Sequence, residues 1–349
     1  MKTSFCTIAF RNSDLDIFGA IELISRLGYD SIEIWGNHLS GGINGVLEVR
    51  RALTRWDLPV AMLSPYFDLT ASDEEWMASL GNAKRYIEYA GALGAPKIRV
   101  FTGFKGSDDV DRSTWRNAVE GLKIMASLAQ QRGIAMALET HPGTLADTVE
   151  STRALLEEVS SPAFGVNLDI YHFWERGSDP VEALEALRPW VIHVHAKNTS
   201  LSLDEREANP HLLLHDRQAA QEFFGISSIA DGNVDYQRFL GALLSGGYDD
   251  HVSIEWFGEE PEAAAGSELT QLHRLTKNMS ALQAETPEAV AVEEESPAPL
   301  AEMDESTAKA AKAIEEAFAK AAPGAGRSRS AAASSKDQLR LGLGESEPK

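Results

Sequence analysis

Cysteine is almost absent from this chain of 349 residues: the single thiol, Cys6, excludes an internal disulfide framework and any cysteine-built zinc module. Basic residues are also short, with 32 Lys and Arg against 53 Asp and Glu and a formal net charge of -21. Nucleic-acid phosphates are held by clustered Lys and Arg, and the first 280 residues contain no such cluster, so nucleic acid is excluded as a partner. No apolar run approaches the length of a bilayer span, and the stretch before Arg11 is too short for a secretory signal core. These absences predict a soluble, cytoplasmic protein with no membrane partner, and a homo-oligomer is compatible with them. No Gly-x-Gly-x-x-Gly follows the first apolar run, which argues against a dinucleotide-binding sheet.

What is present is a chain 43% hydrophobic, enough for a large core, arranged in regular alternation. Short β-branched runs at 3–10, 30–35, 59–64, 97–102, 133–139, 163–169, 190–196 and 250–256 read as strands. Stretches with apolar residues at helical spacing separate them, such as 73–94, closed by Gly94, and 110–132, closed by Gly133. Strict strand-helix alternation demands parallel strands, and eight such units match the size of a (β/α)8 TIM barrel of about 250 residues, so the predicted fold class is α/β. Composition shifts near residue 280, where Glu, Pro and Ala take over. We therefore expect a catalytic domain over 1–280 and a largely disordered C-terminal tail over 281–349, with a short helix near 304–322.

In a barrel, alternate strand residues face the interior and the surrounding helices, and active sites collect at the C-terminal strand ends. In "IAMALETH", Met136 and Leu138 take the helix-facing parity, which leaves Glu139 and then His141 inward. In "FGVNLD" the inward set is Gly165, Asn167 and Asp169; in "VIHVHAK" it is His193, His195 and Lys197. Glu255 in "VSIEWF" and Arg99 in "KIRVF" face inward by the same rule. Burying so many charges unpaired costs several kcal/mol each, whereas one bound cation compensates them together. Glu139, Asp169, His195 and Glu255 make an oxygen-rich set with one imidazole, suited to one divalent cation such as Mn2+, Mg2+ or Co2+.

Each residue taken alone has a plainer reading as a paired core group. His172 can cap the turn after Asp169, His141 before Pro142 can be a loop residue, and Lys197 can reach solvent. Arg99 carries a bidentate fork suited to a substrate carboxylate, or it neutralises Glu33 inside the barrel. Glu33, on the second strand, is not assigned to the metal.

The runs "SFCTIAFR", "SIEIWGNH", "KIRVFTGFKGS", "LETHPGTLADT", "NLDIYHFWERGSDPVEALEALRPW", "HVHAKN" and "SIEWFG" carry a resemblance over about residues 1–280. They resemble the xylose isomerase-like TIM-barrel superfamily, the sugar phosphate isomerase/epimerase group. Within it they look like the 3-dehydroshikimate dehydratases that make protocatechuate. The resemblance implies metal held by Glu139, Asp169, His195 and Glu255, and a pocket for a small carboxylated keto substrate lined by Tyr66, Arg99, His141, His172 and Lys197. It also implies a carbon-oxygen lyase in which His141, Lys197 and His172 act catalytically, the base being either His141 or Lys197. A metal-dependent ketose or keto-inositol isomerase, epimerase or dehydratase is the alternative. Leu201 stands where related ketose epimerases have an arginine six residues after the metal histidine, which weakens the epimerase form.

Spacing adds one more expectation. Glu139 to Asp169 is 30 residues and Asp169 to His195 is 26, but His195 to Glu255 is 60. The surplus falls in 199–232, leaving the catalytic face, so this segment is expected to fold over the site as a lid. His211, His215 or Arg217 is expected to contact substrate, with Asp231 and Gly232 forming the turn back into the helix.

Overall fold

The computed structural model describes residues 1–207 and 225–284. Eight parallel strands close into a barrel: β1 (Lys2–Cys6), β2 (Ser31–Trp35), β3 (Val60–Ser64), β4 (Lys97–Val100), β5 (Ala135–Glu139), β6 (Phe164–Asp169), β7 (Val191–Ala196) and β10 (His251–Ile254). β10 pairs with both β7 and β1, which completes the ring and leaves no open edge. Two short strands, β8 (Asn198–Thr199) and β9 (Ile226–Ser227), form a separate antiparallel pair.

The helices between strands start and stop where local chemistry directs. In α3 (Asp73–Leu93), Ser72 and Glu75 form a reciprocal capping box, and Gly94 ends the helix at φ 74°, a left-handed conformation that glycine adopts without strain. The helix expected over 110–132 is α4 (Arg112–Gln130), because the Asp111 side chain accepts from Thr114 N–H and fixes the start there. The last helix among the described residues is Pro261–Ala284. The expected tail helix at 304–322 lies outside the described residues. Among the described residues no helix is long and apolar enough to cross a membrane.

The first strand is shorter than the apolar run 3–10 suggests. It ends at Cys6, and Thr7–Phe10 form a 3-10 turn, because the Thr7 hydroxyl accepts from Trp35 N–H at 2.8 Å and draws the chain across the barrel mouth. Strands expected over 97–102 and 250–256 stop at Val100 and Ile254, although Glu255 N–H still donates to the Ala196 carbonyl at 3.0 Å. Outward residues such as Ile32, Ile98, Met136, Leu138, Val166, Leu168 and Val194 are fully buried under the helices. The interior is polar, with Cys6, Glu33, Ser64, His193, His195 and Ser253 joined by hydrogen bonds across it.

β8 and β9 tie together the two ends of the long excursion after β7. Asn198 holds that junction: its amide donates to the carbonyls of Ile229 and Val234 and accepts from Val234 N–H. Residues 229–231 form a turn that leads back toward the helix Tyr236–Ser245. The lid positions His211, His215 and Arg217 lie outside the described residues.

Candidate metal centre and active site

Strand register brings the inward carboxylates and imidazole to one level. Asp169 stands opposite His195, and Ser253, two residues before Glu255, stands opposite His195 on the other side. Glu139 stands opposite Asn167, two residues before Asp169. The Asp169 backbone is pinned from β5, since its N–H donates to Thr140 Oγ1 at 2.9 Å and its carbonyl accepts from the same hydroxyl at 3.2 Å.

Glu139, Asp169, His195 and Glu255 each offer one ligand atom within 4.8 Å of the others, and all four are buried. His195 Nδ1 lies 3.6 Å from Glu139 Oε1, 4.0 Å from Asp169 Oδ2 and 3.8 Å from Glu255 Oε2. His195 Nδ1 and Asp169 Oδ1 are buried without a hydrogen-bond partner, while Asp169 Oδ2 and Glu139 Oε2 meet the cations Lys197 and Arg99. Buried polar atoms are rarely left without a partner, and two in one cluster fit a cation.

Charge gives the same result. The buried carboxyl groups Glu33, Glu139, Asp169, Glu175 and Glu255 outnumber the two permanent cations among them, Arg99 and Lys197. A bound cation would offset that excess. The titration directions express this crowding. Burial raises the Asp169 carboxyl to about 7. Burial opposes charge on Glu139 too, yet Arg99 and His195 pull its carboxyl below the usual range. Burial opposes an imidazolium at His195, but Glu33, Glu255 and Glu139 together raise it well above its ordinary value. A metal in place of that proton needs the neutral imidazole.

Lys197 does not reach solvent. Its ammonium sits 2.7 Å from Asp169 Oδ2 and 2.6 Å from Glu255 Oε2, beside the rings of Tyr171 and Phe257. Tyr236 holds its backbone at both ends, accepting from Lys197 N–H and donating to its carbonyl. Arg99 does not pair with Glu33. Its Nη1 lies 2.9 Å from Glu139 Oε2, its plane sits 4.4 Å from the Tyr66 ring, and Tyr66 in turn packs on Phe101. The opposite edge is less engaged: Nε has no hydrogen-bond partner and Nη2 has a 3.5 Å contact with the Ser64 carbonyl.

His141 and His172 lie together, ring centroids 4.2 Å apart. His141 Nδ1 faces the Pro142 carbonyl at 2.7 Å, so it donates there and Nε2 keeps the lone pair. Burial depresses His141 to about 4, which leaves it neutral at pH 7. His172 does not merely cap a turn. Its Nδ1 meets Glu175 Oε1 at 2.5 Å, and its Nε2 is 3.6 Å from Asp169 Oδ2. Burial and the Lys197 charge lower His172 well below its usual value.

The structure thus brings Tyr66, Arg99, His141, His172 and Lys197 around the four-residue cluster. Two neighbours of the cluster were missed by the strand-parity reading. Glu175 had a signal, the His-x-x-Glu spacing on a helical turn. Arg11, half-buried over Phe257 and bonded to the carbonyls of Ile8 and Phe257, stands one ring from Lys197.

A model of the xylose isomerase-like TIM barrel family matches residues 21–275. The chain belongs to that family. A 3-dehydroshikimate dehydratase of Bacillus anthracis is 31% identical over 276 residues, covering 78% of this chain and 96% of its own length. The crystal structure of the probable 3-DHS dehydratase AsbF from Bacillus anthracis superposes with a TM-score of 0.70 at 31% identity, covering 78% of this chain and 99% of that one. A more distant family relative, an inosose dehydratase of Clostridium botulinum, is 22% identical over 274 residues, 73% of this chain and 89% of its own.

Proposed function

We propose that this protein is a metal-dependent lyase that dehydrates 3-dehydroshikimate to protocatechuate. The observation that carries the reading is the convergence of Glu139, Asp169, His195 and Glu255, with His195 Nδ1 and Asp169 Oδ1 buried without a hydrogen-bond partner. These four would hold one divalent cation, Mn2+, Mg2+ or Co2+, which when bound supplies a Lewis acid for the substrate's ketone. The likeness to a 3-dehydroshikimate dehydratase along 96% of that protein's length supports the choice of reaction.

The remaining residues supply the rest of the chemistry. The substrate has a ketone at C3, hydroxyls at C4 and C5, and a carboxylate. Arg99 would take the carboxylate on its Nε and Nη2 edge while Nη1 stays on Glu139, and Tyr66 supports the guanidinium from its face. His141, neutral and with a free Nε2, would remove the acidic proton at C4. Lys197 would stabilise the developing enolate or donate a proton to the hydroxyl leaving C5. His172, held by Glu175, would fix a substrate hydroxyl beside it. Loss of that hydroxyl as water and a final proton shift from carbon to oxygen give the aromatic catechol.

The family relative named inosose dehydratase supports a second reading, dehydration or isomerisation of a keto-inositol or ketose on the same site. Incubating the Mn2+-loaded protein separately with 3-dehydroshikimate, a keto-inositol and a ketose separates them. Catechol absorbance with the first alone is expected. Turnover of either other substrate without catechol formation would replace the proposal with the second reading.

A further inference from the structure

Glu33 lies outside the four-residue cluster, yet donors from three strands, β1, β3 and β7, meet at its carboxylate. It is fully buried. Oε1 accepts from Ser64 Oγ at 2.5 Å and from Cys6 Sγ at 3.4 Å. His193 Nε2 approaches Oε2 at 3.2 Å, and His195 Nε2 lies 3.0 Å from both oxygens. His195 therefore divides its two nitrogens between two groups. Nε2 meets Glu33, while Nδ1 faces Glu139, Asp169 and Glu255 at 3.6, 4.0 and 3.8 Å.

An imidazole that binds a cation through one nitrogen keeps its proton on the other. A carboxylate accepting that proton fixes the tautomer, holds the ring's orientation and makes the ligand more basic. We propose that Glu33 is the positioning carboxylate of the metal centre, holding His195 as the Nε2–H tautomer with Nδ1 toward the cation. The inference rests on the proposed metal role of the cluster. Cys6, Ser64 and His193 act one layer further out: by donating to Glu33 they keep its oxygens in place and compensate the buried charge.

Glu33, His193 and His195 also group closely enough to suggest a cation site of their own. The contacts argue otherwise. Every nitrogen-oxygen and oxygen-oxygen approach to Glu33 is at hydrogen-bond length, and His193 Nε2 is shared with Ser253 Oγ at 3.1 Å.

Calorimetric titration of the metal-free, full-length protein with Mn2+ tests the inference, using wild type, Glu33→Gln and Glu139→Gln. Wild type is expected to bind one equivalent. Glu33→Gln should melt cooperatively and still bind one equivalent, with Kd raised about 10- to 100-fold. Glu139→Gln should lose binding. A Glu33→Gln Kd within about twofold of wild type would overturn the positioning role and leave the cluster intact. Two equivalents in wild type and one in Glu33→Gln would make Glu33 a ligand of a separate site instead. Wild type that binds no divalent ion would remove the cluster reading and this inference together. A second measurement does not depend on how the variant folds: nitrogen-15 spectra of the histidine rings in Zn2+-loaded wild type. His195 coordinated through Nδ1 and protonated at Nε2 is expected, and coordination through Nε2 would overturn the proposal.

Discussion

Lys197 and Glu255 form a buried ion pair at 2.6 Å, and the same ammonium touches Asp169 at 2.7 Å. One lysine thus bridges two residues of the candidate metal cluster. Burial opposes its charge, but Asp169, Glu255 and Glu139 raise its ammonium well above the ordinary lysine value. It is therefore a fixed positive charge beside the candidate metal cluster. Lys197→Met should lower kcat by about 10²- to 10³-fold with a smaller change in KM, as for loss of a charge that stabilises the developing enolate. Steady-state kinetics check this, and a kcat within a few-fold of wild type would assign Lys197 to structure alone.

Glu139→Gln and Asp169→Asn should each lose bound metal and turnover while the barrel stays folded. Each removes one anionic ligand atom from the cluster, and with it part of the negative charge that attracts the cation. Elemental analysis with circular dichroism checks the outcome, and a full metal complement in either variant would contradict the ligand assignment.

Arg99→Lys should raise KM by about tenfold or more, because a point charge cannot reproduce a two-bond hold on a carboxylate. Lysine still offers a cation to Glu139, so metal content should change less than KM. Unchanged KM would place Arg99 with the carboxylates of the cluster only.

At the opposite end of the barrel, Lys97 donates to Asp250 at 2.7 Å and to the Ile192 carbonyl at 2.9 Å, while His251 lies against the same carboxylate. Burial opposes charge on Asp250, yet His251 and Lys97 outweigh it and hold the carboxyl below its ordinary 3.8. A group depressed in the folded state contributes its stability above the unfolded value and loses it as pH falls through the folded one. Melting temperature should therefore fall between about pH 4 and lower values by more in wild type than in Asp250→Asn. Parallel curves for the two proteins would contradict that role.

Much of the barrel was legible because the outer face of each strand is uniformly apolar. Met136 and Leu138, then Val166 and Leu168, are spaced by two, so the ionisable residues between and beyond them had only the interior left. Period-two patterning says where side chains face but not where a strand ends, which is why residues 7–10 and 101–102 left the ladder unannounced. Nor does it say which inward residues meet. Glu33 and His195 are 162 positions apart on strands that are not neighbours, and only closure of the barrel brings them to 3.0 Å. Arg99 shows the same limit: parity turned it inward, while the choice of Glu139 over Glu33 depended on register.

The most direct test is catechol formation from 3-dehydroshikimate by chelator-stripped protein, titrated with Mn2+. The account predicts no protocatechuate from the stripped protein and recovery that saturates near one equivalent of metal. Undiminished turnover after stripping, or full occupancy of the site with no protocatechuate formed, would contradict it.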